Sequence, residues 1–418
     1  MKKVLSVLMA VVMLVGVCAL FAACNDTANK DNQDGNSTDT TTQGNEVAAA
    51  DFKVGAIYIN GKNDTAGYTY AHSKGINAAI KDLGIPESNL YVVDNILEDT
   101  TAVTKAIDEL AANGCNMIIG ISFGYQDAMK AAADKEEYSD IIFSHATGYM
   151  SNDTNFNNYF GRIYQARYLS GIAAGLKSKE LGNNNIGYVA AWGTEYAETC
   201  SGINAFTLGA QSVNPDVVVH VSQISTWGDE TKERQAAETL IDTYNCCVIA
   251  QHCDSAQPQM AAEAKGVFGC GYNSDMTQQA PNAHLTAAVW NWEVYYKAAI
   301  AAAMKGKVNF MKEIGIYYEG LKAGLVGISP LSNNCAEDTD KIIEAVSALI
   351  KSGEWDVFSG VKLSYEKAAD GSYNIIKTDA PLVTNTDEEV RKSGEKSVED
   401  AVIKGSMNYY VKGVIDEK

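Results

Sequence analysis

Cys246-Cys247-Val248-Ile249-Ala250 is a short apolar run that stops at the polar group Gln251-His252-Cys253-Asp254-Ser255. An Ala-rich amphipathic stretch, residues 257–265, comes next, and then a second apolar run, Gly266-Val267-Phe268-Gly269-Cys270-Gly271. Strand, helix and strand of these lengths predict a right-handed parallel crossover. The second strand runs out into Tyr272-Asn273-Ser274-Asp275, a polar cluster at a carboxyl end, which is where open α/β sheets take ligands. Beyond Pro281, His284-Leu285-Thr286-Ala287-Ala288-Val289-Trp290-Asn291-Trp292 places two tryptophans two residues apart. Polar loops beside paired aromatics imply a site for a flat, uncharged ring.

The same alternation extends upstream. Phe52 to Ile59 reads as a buried strand, residues 70–83 as a helix with Ala71, Ile76, Ala79 and Ile80 on one face, and residues 90–93 as a strand. Helices over 100–112 and 124–134 and strands over 115–120 and 141–144 complete a first set of βα units. A second set follows. Small residues over 166–176 predict a helix, residues 186–190 a strand that ends at Trp192, and residues 195–211 a helix. Residues 217–221 form a strand that ends at Trp227, and residues 232–244 a helix. Repeated βα units predict parallel sheets with helices on both faces. Downstream, a helix to about 305, strands over 313–318 and 324–328, and a helix over 339–352 are expected. Two similar α/β lobes imply a clamshell that closes on a ligand.

The chain of 418 residues is long enough for two domains of ordinary size, and its formal charge of −19 argues against a basic face for nucleic acid or anionic lipid. At the start, Lys2-Lys3 precede an apolar run to Leu20 and then Phe21-Ala22-Ala23-Cys24. This resembles a bacterial lipoprotein signal in residues 1–23, with Cys24 as the lipid-modified residue; an ordinary cleaved signal peptide is the alternative. Phe21 stands where that motif usually has Leu. Residues 24–50 are polar and low in apolar content, which predicts a flexible tether. Setting Cys18 and Cys24 aside leaves Cys115, Cys200, Cys246, Cys247, Cys253, Cys270 and Cys335, an odd number lying mostly in apolar runs. No disulfide framework follows, and whether Cys253 meets Cys270 stays open. C-x-x-C and H-x-x-x-H spacings are absent, so neither a zinc site nor a cofactor is expected.

Several segments carry a family resemblance: Ala66-Gly67-Tyr68-Thr69-Tyr70-Ala71-His72, Tyr168-Leu169-Ser170-Gly171-Ile172-Ala173-Ala174-Gly175, and Ser225-Thr226-Trp227-Gly228-Asp229. With them stand His252-Cys253-Asp254-Ser255, Gly271-Tyr272-Asn273-Ser274-Asp275-Met276 and Met407-Asn408-Tyr409-Tyr410-Val411-Lys412-Gly413-Val414. In this order they resemble the basic membrane lipoproteins, purine-binding proteins of ABC importers. The resemblance implies a type I periplasmic-binding-protein clamshell, two doubly wound parallel-sheet lobes joined by a hinge. The first lobe is expected over 51–162 with a return segment near 278–325, the second over 163–277 and 326–418.

The implied ligand is a purine base or nucleoside between the lobes, handed to an ABC permease by a lipid-anchored monomer on the extracytoplasmic face. Tyr68, with Thr69 beside it, and Trp192 or Trp227 are the implied stacking positions, Asp254 and Asp275 the polar readers, and Phe123 part of the wall. Stacking on an aromatic face contributes about 1–3 kcal/mol per base. Trp290 stands where nucleoside-binding relatives carry a ribose-holding Lys, which implies a bare base, adenine-like, over a nucleoside. A purine sensor that signals to a membrane partner is the alternative within the same fold. The G-x-S-x-G at Gly120-Ile121-Ser122-Phe123-Gly124 permits a hydrolase reading of Ser122, set against it being a βα loop that needs glycine. Asp229 is expected to cap a helix; Asp254 has the same option.

Overall fold

The computed structural model describes residues 46–417, so the signal segment, Cys24 and most of the tether lie outside the described residues. The first set of elements is β1 (Val54–Tyr58), α1 (Gly67–Asp82), β2 (Leu90–Val93), α2 (Thr100–Ala112), β3 (Met117–Ile121), α3 (Gln126–Ala133), β4 (Ile142–Ala146) and β5 (Phe156–Gly161). The second set is α4 (Ile163–Leu181), β6 (Asn185–Ala190), α5 (Ala197–Val213), β7 (Val218–Gln223), α6 (Glu230–Tyr244), β8 (Val248–His252), α7 (Gln257–Ala264), β9 (Phe268–Asn273) and β10 (His284–Trp290). The chain continues with α8 (Trp292–Met304), α9 (Lys307–Glu313), β11 (Tyr317–Glu319), β12 (Val326–Ile328) and α10 (Thr339–Ser352). It closes with β13 (Val361–Lys367), β14 (Tyr373–Asp379), β15 (Leu382–Val383), β16 (Glu389–Arg391), α11 (Asp400–Gly405) and β17 (Val414–Glu417).

Two sheets result. The first has the order β11-β5-β4-β3-β1-β2 and the second β12-β10-β9-β8-β6-β7-β17. Pairings are parallel throughout the first, whereas β12 runs antiparallel to β10 in the second. Central strands such as β1, β3 and β8 are buried along their whole length, as helices on both faces require. Strand order reverses between β1 and β3 and again between β6 and β8, which puts a topological switch at the carboxyl end of each sheet. The chain passes between sheets at Arg162, at Asn291 and between β11 and β12. Arg162 ties these passages together: Nη1 donates to the Tyr318 carbonyl at 3.0 Å, and Nε to Asp400 Oδ1 at 3.0 Å.

One boundary of the expected division differs in the structure. β10 belongs to the second sheet, so the return to the first begins after Trp290 rather than near 278. The reason is local: residues 274–283 bridge two parallel strands without a helix, a connection that period alone does not reveal. β5 and the β13–β14 hairpin also escaped the pattern, because β5 carries Asn157 and Asn158 in its buried run and the hairpin strands mix polar and apolar residues on largely exposed strands. Of the expected strand over 313–318, only its end is strand; residues 307–313 are helical.

Helix α4 is buried almost all round, which explains its small residues. A Cβ on Gly171 would lie 2.1 Å from the Phe206 carbonyl oxygen, and one on Gly209 would lie 2.0 Å from that of Tyr168. Backbones of α4 and α5 therefore touch. Gly171→Ala is expected to destabilise the protein by about 1–3 kcal/mol, because the obstacle is backbone and cannot swing aside. A urea midpoint equal to that of the parent protein would show that the helices separate freely.

Candidate functional site

Loops at the carboxyl ends of both sheets meet across the gap between them. Gly67, which starts α1 behind β1, donates its N–H to Ser274 Oγ at 3.3 Å, and a Cβ on it would sit 2.1 Å from the Asp254 carbonyl oxygen. Nearby loops hold three non-glycine residues in the left-handed region, Thr147, Ser225 and Asn273. Such strain persists where the surroundings over-determine the backbone, and it clusters at ligand sites.

The aromatic positions converge. Tyr68 is partly buried, its ring edge-on to His72 at 4.5 Å, and its hydroxyl lacks a hydrogen bond of good geometry. Thr69 is buried with its hydroxyl unpartnered. Trp192 follows β6 and Trp227 follows β7. Both meet Tyr196, at centroid distances of 5.2 and 5.9 Å, and Tyr196 also meets Phe123 of the first lobe edge-on at 6.4 Å. Phe123 keeps 38% of its surface exposed. The Trp192 Nε1 proton has no protein acceptor. Rings from both lobes thus meet at Tyr196. Tyr196, their hub, was not anticipated.

Two of the expected residues are placed differently. Asp275 is 47% exposed, and its Oδ1 accepts from Thr277 N at 2.9 Å and Thr277 Oγ1 at 2.6 Å while lying 3.6 Å from His284 Nε2. It holds the turn after β9; a carboxylate two residues before a Thr closes that turn on itself. Trp290 is 5% exposed and stacks on Trp292 at 4.4 Å and 9°, with Trp292 in turn stacked on His72 at 4.3 Å. Trp290 ends a strand and Trp292 begins α8, so both rings fall on one side. Trp290 acts from behind, its Nε1 donating to the Tyr272 hydroxyl at 3.4 Å.

Asp254 is half-buried. Helix α7 carries no side-chain cap, so the capping role falls away. Asp254 accepts from Asn273 Nδ2 at 3.2 Å, and its N–H donates to the Trp227 carbonyl at 3.0 Å. Burial, then the charges of Glu233 and Glu198, push its carboxyl up to about 8, so it holds its proton at neutral pH and is able to donate. Asp229, by contrast, caps α6 through Lys232 N at 3.0 Å. His72 is a structural group, bonded through Nδ1 to the Tyr296 hydroxyl at 2.6 Å.

Other residues of the site carried little signal. Glu198, in the first turn of α5, lies 2.8 Å from His252 Nε2. Burial would raise its carboxyl, but His252, Arg167 and Tyr272 hold it below the usual range. Arg167 is fully buried over the Tyr272 ring at 3.7 Å, with Nε and Nη2 unpartnered. An arginine in the first turns of an Ala- and Gly-rich helix, whose other cations, Lys177 and Lys179, lie near its end, was the one legible hint.

Ser122 lacks a nucleophile's geometry. Its hydroxyl donates to Glu98, and His145 Nε2 lies 2.7 Å from the Ser122 carbonyl rather than its Oγ. Among the described residues every cysteine is free, Cys253 and Cys270 included, and no group of His, Cys, Asp and Glu is arranged to hold a metal. No helix among them is long and apolar enough to cross a membrane.

Residues 52–357 match the Bmp family, described as PnrA-like ABC transporter substrate-binding proteins. A purine-binding protein of Brucella abortus is 35% identical over 366 residues, 88% of this chain and 93% of that protein. A putative ABC transporter glucose-binding protein of Haloferax volcanii is 32% identical over 346 residues, 81% of this chain and 83% of its own length. Among solved structures, a solute-binding protein of an ABC transporter system from Conexibacter woesei superposes with a TM-score of 0.57 at 19% identity, covering 73% of this chain and 98% of its own; it shares the fold.

Proposed function

Because the chain belongs to the Bmp family of PnrA-like ABC transporter substrate-binding proteins, we propose that its substrate is a purine, taken between the two lobes as the bare base in preference to the nucleoside. The observation that carries this reading is the meeting of Trp192, Trp227 and Phe123 at Tyr196, with Tyr68 close enough to Asp254 to feel its charge and the Trp192 N–H unpartnered. Rings supply faces for a flat heterocycle, and a proton-bearing Asp254 pairs with an edge that offers an acceptor beside a donor. The purine-binding relative at 35% identity points the same way. No cation stands at position 290 to hold ribose hydroxyls; Trp290 is instead stacked on Trp292.

The receptor works as a monomer anchored through Cys24 and hands its ligand to a membrane permease. Thr69 and Asp275 shape the loops around the site.

Thermal unfolding of the chain from residue 25 against adenine, guanine, hypoxanthine, their nucleosides and glucose tests the reading. A ligand at 100 times its dissociation constant adds about 2.7 kcal/mol, a plain upward shift. The base is expected to shift the transition more than its nucleoside. A shift with glucose and none with any purine would discard the purine assignment, and tighter binding of the nucleoside would discard the base preference.

A further inference from the structure

Glu198 stands at the end of a hydrogen-bond chain whose directions are forced. Trp290 Nε1 only donates, and its neighbour at 3.4 Å is the Tyr272 oxygen. Tyr272 therefore turns its own proton to Glu198 Oε1, also at 3.4 Å. On the other side His252 Nε2 lies 2.8 Å from the same Oε1. The imidazole is buried and neutral, so its single proton sits on Nε2 facing the carboxylate, and Nδ1 is left as acceptor toward the Tyr188 hydroxyl at 3.4 Å. Both donors thus saturate Oε1. Oε2 has no protein partner among the described residues, and the side chain keeps 20% exposure.

A carboxylate so framed is expensive unless a charge offsets it. Arg167 supplies that charge from the buried side of Tyr272, its Nη1 donating to the Gln251 carbonyl. Two of its other N–H groups, Nε and Nη2, find no acceptor. A protein that only needed a packed core here would do better with an apolar pair. The arrangement instead keeps one acceptor oxygen ionised and uncommitted beside Tyr272 and His252, whose ring also meets Trp227.

We infer that Glu198 is a specificity-determining residue whose Oε2 accepts an N–H or O–H donor of the bound ligand, with His252, Tyr272 and Arg167 as the groups that position it. The inference rests on reading the gap between the lobes as the ligand site. Glu198 then complements Asp254. The first is an acceptor only, the second carries a proton, and a ligand satisfies both with one donor and one acceptor. An ionised Glu198 also repels phosphorylated ligands, so a nucleotide binds far more weakly than the unphosphorylated ring.

Titration calorimetry of the parent protein and Glu198→Gln with adenine, adenosine, adenosine monophosphate and glucose tests this. In Glu198→Gln the amide oxygen stays with His252 and Tyr272, so the NH2 faces the ligand's donor. Binding of whichever compound the parent takes is expected to weaken at least tenfold. Glu198→Asp, which keeps the charge but withdraws it by one methylene, serves if the amide variant does not fold, with an expected loss of threefold or more. Affinity within twofold of the parent in a folded variant overturns the inference and leaves the purine reading intact. Glucose binding alone by the parent overturns the purine reading and leaves Glu198 to be judged on glucose. A parent protein that binds none of the four overturns both.

Discussion

Gly67→Val loses ligand capture, by at least a hundredfold in affinity, and remains folded. Gly67 has φ +86°, which glycine adopts at little cost, and it abuts the Asp254 carbonyl of the other lobe. Gly67 starts α1 behind the first sheet, whereas Asp254 follows β8 of the second. A branched side chain there acts as a wedge. The two sheets relieve it by parting, since each has its own helices over both faces. What is lost is the closed arrangement, and apparent affinity falls in proportion to the fraction of protein that still reaches it. Keeping that fraction under one part in a hundred gives the expected loss. Calorimetry gives the affinity, and small-angle scattering reads the separation of the lobes. A variant that binds within tenfold of the parent, at an unchanged radius of gyration, would rule out the wedge.

Asp254→Asn raises the stability of the ligand-free protein in alkali, by about 6 kcal/mol above pH 8. The sign follows from the carboxyl's two environments. In the unfolded chain it titrates at 3.8, and in the folded protein burial and Glu233 raise it to about 8. Between those values the folded form holds a proton that the unfolded form has released, so stability contributed by this group falls as pH rises from about 4 to about 8. Above 8 a charged, poorly solvated carboxylate carries the full penalty. Asparagine never ionises, and its curve lacks that descent. Groups titrating elsewhere are common to both proteins, so the difference between the two stability–pH curves isolates Asp254. Parallel curves from pH 5 to 9 would mean that Asp254 is ordinarily acidic. The same variant loses the proton-bearing edge offered to a ligand, and its affinity falls as well.

The chain's alternation of short apolar runs with amphipathic stretches already contained the parallel sheets, the two lobes and the strand ends where ligand-facing groups stand. The reason is that a parallel strand buried on both faces must be apolar along its length, and each crossover needs a helix-length stretch. Tyr68, Trp192, Trp227, Phe123 and Asp254 could be singled out because a strand's end is a local property. Asp275 belongs to the same polar cluster, yet it turns back on Thr277, since only the path of the following ten residues decides where its carboxylate points. Trp290 likewise reads as a wall residue until the chain's crossing at Asn291 lays it against Trp292. Glu198, Tyr196, His252, Tyr272 and Arg167 lie on four different elements, and nothing in their spacing announces that they meet. Their hydrogen bonds, and the opposite proton states of Glu198 and Asp254, arise from burial and from neighbours far away in sequence. Local chemistry thus picked out the loops of the candidate site. Which carboxyl stays ionised, and which oxygen is left unoccupied, was decided by the tertiary structure, because desolvation and long-range charge exist only once the lobes have packed.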